Sequence, residues 1–87
     1  MIVRRKPDWI AAKVGDELVM MNTVTSDYAG LSEVGARIWA LIETPRPIED
    51  ICAQLVAEFD VAPEICRRDV DEFLAALGRH GAVIQEA

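Results

Sequence analysis

From Leu31 onward the apolar residues recur at helical spacing in three separate stripes, and this change of period constrains the fold more than any other feature. Leu31, Val34, Ile38, Leu41 and Ile42 form the first stripe, with Ser32 placed to cap it. The run Thr44-Pro45-Arg46-Pro47 ends that helix, because the residue before each proline is driven out of the α region. Ile48, Ile51, Cys52, Leu55, Val56 and Phe59 make the second stripe, and Glu49 and Asp50 in its first turn suit the helix dipole. Pro63 takes the first position of a third helix, whose apolar face is Cys66, Val70, Phe73, Leu74 and Leu77. Gly78 with Gly81 closes it. The spacing predicts helices over about 32–43, 48–59 and 63–78.

Before Leu31 the pattern is that of short strands. Trp9 to Val14 is β-compatible, Gly15-Asp16 is a hairpin signal, Leu18 to Met21 is an apolar run, and Asp27 to Leu31 gives a third strand. Ala82-Val83-Ile84 either returns as a short strand or packs down on the helices. The reading is therefore one α+β domain over residues 1–87: a three-stranded antiparallel sheet within about 9–31, followed by three helices (β-β-β-α-α-α). That order is winged helix-turn-helix-like.

Such an order raises the question of nucleic acid, and charge argues against it. The first thirteen residues carry four basic side chains against one acidic, while the remainder carries five against fourteen. The expected reader helix, Pro63 to Arg79, sets Arg67, Arg68 and Arg79 against Glu64, Asp69, Asp71 and Glu72, where a DNA reader needs a net positive face. No apolar run approaches the ~20 residues of a membrane span, and no signal peptide follows the basic start. The expectation is a cytoplasmic protein without nucleic-acid or membrane partners. Cys52 and Cys66 lack C-x-x-C spacing and read as small buried hydrophobes in a reducing compartment, with a disulfide or metal pair as the alternative.

Catalytic chemistry is poorly supplied. The single histidine, His80, sits in a glycine-flanked turn without a partner to orient it. Asp69, Asp71 and Glu72 crowd the third helix without the histidines that accompany carboxylates in helical metal sites, so they read as a solvated face. No phosphate-binding glycine loop is present. No metal, cofactor or catalytic residue is expected, and the chain reads as a non-enzyme.

A peptide-binding module remains. The third strand is short, begins polar and contains Ala29-Gly30, so it packs weakly by itself. At a sheet edge it would offer unpaired N–H and C=O groups to an incoming strand, beside the third helix, with Tyr28 either an aromatic anchor or a strand residue packed on its own sheet. The same edge permits a homodimer.

These residues also carry a resemblance. Gly30-Leu31-Ser32-x-x-Gly35-x-Arg37-Ile38-Trp39-x-Leu41-Ile42, Ile48-x-x-Ile51-x-x-x-Leu55, Phe59-Asp60-Val61 and Asp69-Val70-x-x-Phe73-Leu74-x-x-Leu77-x-x-x-Gly81 resemble the PqqD family, whose members are also called RiPP recognition elements. The resemblance runs from about Glu17 to Ile84. It implies that the leader of a ribosomally made precursor peptide adds as an antiparallel strand along Asp27, Tyr28, Ala29, Gly30 and Leu31. The leader then lies against an exposed flank of the third helix at Arg67, Val70, Asp71 and Leu74. It also implies delivery of the precursor to an enzyme. The Tyr28-x-Gly30-Leu31-Ser32 run and the proline linker are more similar to the small leader-binding subunit of split lasso-peptide systems, which serves a leader peptidase. PqqD proper, or another chaperone serving a radical SAM enzyme, ranks second. A winged-helix regulator is the alternative from another class.

Overall fold

The computed structural model describes residues 1–86 and contains six strands and three helices. In chain order they are β1 (Ile2–Arg5), β2 (Trp9–Val14), β3 (Glu17–Asn22), β4 (Tyr28–Leu31), α1 (Glu33–Leu41), β5 (Arg46–Pro47), α2 (Ile48–Glu58), α3 (Pro63–Arg79) and β6 (Val83–Glu86). The α+β class stands, with three helices and antiparallel sheets, but the strands form two sheets rather than one: β2-β3-β4 and β5-β1-β6. No helix among the described residues is long and apolar enough to cross a membrane.

The meander β2-β3-β4 follows from its turns. Val14 pairs with Glu17 across the two-residue loop Gly15-Asp16, and Gly15 takes φ +63° at the first loop position, as type II′ turns require. The longer β3–β4 loop is held by Asn22, whose Oδ1 accepts from the backbone N–H groups of Val24 and Thr25 at 2.8 and 2.9 Å. Side chains then alternate across the sheet. Trp9, Met20 and Leu31 turn inward to the core, while Ile10, Met21 and Tyr28 turn outward.

The second sheet departs from the expected order. Its central strand, β1, comes from the basic arm before residue 6, where two arginines mask a strand whose Val3 is fully buried. Both arginines serve the fold. Arg4 pairs with Glu86 on β6, and Arg5 lies over the Trp39 ring, 4.3 Å from its centroid, while its Nε donates to the Trp39 carbonyl at 3.0 Å. The proline linker supplies β5: Arg46 and Pro47 pair with Val3 and Ile2, and the Ile48 N–H donates to the Met1 carbonyl. Ala82-Val83-Ile84 does return as a strand, β6, beside the other edge of β1.

The helices start and stop where their caps dictate. Ser32 Oγ accepts from the Gly35 N–H at 3.0 Å, capping α1. Pro63 opens α3, and Gly81 at φ +74° closes it as Ala82 donates back to the Leu77 carbonyl. Gly78 is inside the helix rather than beyond it. Ile38, Ile51, Leu55, Val70 and Leu74, each no more than 1% exposed, form the centre where the three helices meet. Burying such side chains stabilises a domain by roughly 2 kcal/mol each.

Candidate functional site

β4 lies at the open edge of its sheet, paired with β3 on one side only. The Asn22 N–H donates to the Asp27 carbonyl at 2.8 Å, which makes Asn22 and Asp27 a hydrogen-bonded pair. Antiparallel ladders alternate, so Ala29 and Leu31 also turn their backbone groups toward β3. The N–H and C=O groups of Tyr28 and Gly30 therefore face outward along the free edge. Side chains alternate with them: Tyr28 is on the outer sheet face, 76% exposed, while Ala29 and Leu31 share the inner face with Met20 and Leu18. Asp27 precedes the strand and accepts from Thr25 Oγ1 in the turn.

The chain passes from β4 directly into α1, and α1 is held against α3 by a close contact. Gly35 packs under the Phe73 ring. This places the α1-facing side of α3, with Asp69 and Phe73, beyond the end of β4. The predicted helix residues are distributed otherwise. Val70 and Leu74 are 1% and 0% exposed, so they belong to the core and not to an exposed flank. Arg67 and Asp71 are exposed but pair with each other at 3.1 Å, on the side of α3 that faces α2. Their charges act on Cys52 of α2, whose thiol is pushed up chiefly by burial and then by the neighbouring Cys66. The sulfur of Cys66 in turn approaches the Cys52 carbonyl at 3.9 Å, and both thiols are free.

Two hollows open beside the start of α1, the helix that follows β4. One, of about 80 Å³, lies between the helices and is lined by Val34, Leu55, Phe59, Val61, Cys66, Asp69 and Val70. It is apolar apart from the Asp69 carboxylate, and Val70 forms part of its wall. The other is an open cleft between the β2–β3 turn and the start of α1, lined by Asp16, Glu17, Leu18, Leu31, Ser32, Glu33 and Ala36. Three carboxylates make it acidic. Sequence reasoning missed both hollows, because each joins residues from elements far apart in the chain.

Away from this edge the strongest electrostatic contact is structural. The Arg37 guanidinium, with help from Gln54, holds the Glu58 carboxyl well below the usual range, at about 2. The ion pair ties α1 to α2 at 2.6 Å.

The arrangement has known counterparts. Residues 17–83 match the family profile of Coenzyme PQQ synthesis protein D (PqqD). A solved chain described as TbiB1 in complex with the TbiA(beta) leader peptide is 32% identical, with a TM-score of 0.85 over 97% of this chain and 98% of that one. A second, described as lasso peptide synthetase B1 complexed with the leader peptide, shares the fold at a TM-score of 0.81 and 20% identity, over 95% of this chain and 98% of that one. No curated protein gives a significant match. With most of its length matched by the family profile and the same fold in a relative at nearly full coverage, the chain belongs to the PqqD family.

Proposed function

We propose that this protein is a non-catalytic recognition element. It binds the leader of a ribosomally synthesised precursor peptide as a strand added antiparallel to β4 and presents the precursor to a processing enzyme, a lasso-peptide leader peptidase. The observation that carries the reading is the free edge, where the backbone groups of Tyr28 and Gly30 have no partner strand. The two solved chains of the same fold were each captured with a leader peptide, which supports it.

An added strand would bond to Tyr28 and Gly30. Its side chains opposite Ala29 and Leu31 would point to the inner face, and residues preceding it would reach the apolar hollow at Val34 and the acidic cleft at Glu33. The α3 contribution to the site is then Asp69 and Phe73, in place of Arg67 and Asp71. Ordering a flexible leader costs entropy, so affinity rests on a few such anchors. The DNA-binding alternative is disfavoured by α3, where Arg67 and Arg68 are each set against an aspartate.

The test is a fluorescence-anisotropy titration with the leader of the precursor encoded beside this gene, run against random duplex DNA. Saturable leader binding without DNA binding is expected. Gly30→Pro removes an outward N–H and is expected to abolish binding in a folded protein. A folded Gly30→Pro protein that binds normally would refute strand addition.

A further inference from the structure

The outer face of the β2-β3-β4 sheet is bare. Ile10, Met21 and Tyr28 form one row across its strands, and Ala12, Val19 and Gly30 form the next. Ile10, Met21 and Tyr28 are all exposed, so no other element covers this row. Among the described residues eight large hydrophobic side chains are exposed, and four of them, Ile10, Val14, Met21 and Tyr28, lie on this one face. Val24, 73% exposed, adjoins it in the β3–β4 turn. Scattered exposed apolar residues need no explanation, but a contiguous patch on a small domain marks an interaction surface.

Its border is acidic. Asp16 and Glu17 stand at the hairpin end, and Asp8, opposite Thr23, at the other. The single base on these strands, Lys13, alternates to the opposite face. Two copies set face to face would oppose like charges, each on a chain of net charge −6. A partner with an apolar patch bordered by lysines or arginines is complementary.

The patch is also continuous with the free edge. Tyr28 ends its first row, and above Gly30 a Cβ would meet nothing within 4 Å. A side chain of an added strand opposite Gly30 would stand unobstructed on this same face, extending it onto the peptide. We infer that the outer face of the β2-β3-β4 sheet docks the enzyme that acts on the bound peptide, through an apolar patch with a basic border on that enzyme. The inference rests on the peptide-binding reading and adds where the enzyme sits.

Ile10→Lys and Met21→Lys test it, since both side chains are already exposed and neither belongs to the free edge. Leader affinity by anisotropy is expected to stay within about twofold of wild type. Cleavage of the full precursor by the peptidase encoded beside this gene is expected to fall by roughly tenfold or more. Met21→Glu is expected to cost less than Met21→Lys, because it meets a basic border. Wild-type cleavage rates in both lysine variants would overturn the inference. So would a wild-type dimer in sedimentation velocity that the lysine variants dissociate, because the face would then join two copies. Sedimentation of the chain with the peptidase alone reads the face apart from the peptide: a complex lost in the lysine variants supports it, and no complex with wild type overturns it. Failure of the wild type to bind leader counts against the peptide reading, whatever the sedimentation result.

Discussion

Gly35 and Phe73 meet with no room for a side chain between them: a Cβ at Gly35 would stand 3.0 Å from Phe73 Cε1 and 3.3 Å from Ser32 Oγ. This contact holds α1 close against α3. Alanine is ordinarily the better helix former by about 1 kcal/mol, so Gly35→Ala on an open helix would stabilise. Here it is expected to lower the melting temperature and weaken leader binding together. In a Phe73→Leu background the same change is expected to lose its penalty, and a double-mutant cycle by thermal unfolding reads the coupling at about 1 kcal/mol.

The carboxylates beside the free edge and those remote from it make opposite predictions. Glu33→Lys, in the cleft at the Leu31 end of β4, is expected to weaken leader binding and to change its salt dependence. Asp71→Lys breaks a pair with Arg67 on the α2 side of α3 and is expected to leave both nearly unchanged. Titrations at two salt concentrations distinguish them. An equal effect from the two variants would extend the peptide site from the cleft at Glu33 to the α2 side of α3.

Glu58 gives the fold a defined acid response. Its carboxyl is held at about 2 in the folded chain against an ordinary 4.5. A depressed folded value favours the folded state above the unfolded value, and that contribution is lost as pH falls from about 4.5 through 2. The stability difference between wild type and Glu58→Gln is therefore expected to be constant near neutrality and to shrink below pH 4.5. Melting temperatures measured from pH 7 to pH 2.5 check it.

Arg5 is expected to matter to stability although it lies in a basic arm. Arg5→Ala removes the contact with the Trp39 ring and the bonds to its carbonyl, at a cost of about 2 kcal/mol. Arg5→Lys keeps the charge but not the planar fork, and is expected to recover less than half of that. Thermal unfolding of the two variants is the measurement.

Three helices, their caps and the meander were legible because each is written locally: Ser32, Pro63, Gly15 and the apolar stripes act within a few residues of themselves. The β5-β1-β6 sheet was not, because its strands have two to four residues and pair across the whole chain. In the sequence Arg4 and Arg5 are only part of a basic start, because their partners Glu86 and Trp39 are far along the chain. The same holds for the site. The edge strand from Tyr28 to Leu31 could be read from its composition, but which of its residues turn outward depends on the Asn22–Asp27 pairing. On α3 the apolar positions Val70 and Leu74 marked the buried stripe, and no local signal separated its β4 side from its α2 side.

The pairing of Ile2 with Glu86 has a consequence for how the molecule comes together. The helical core rests mostly on contacts between neighbouring segments, which form early, whereas the strand at the start of the chain cannot lock until residue 86 exists. The latch is therefore expected to close last and open first. In hydrogen exchange β1 and β6 should lose protection together as one cooperative unit, while the buried turns of α2 and α3 hold on to theirs.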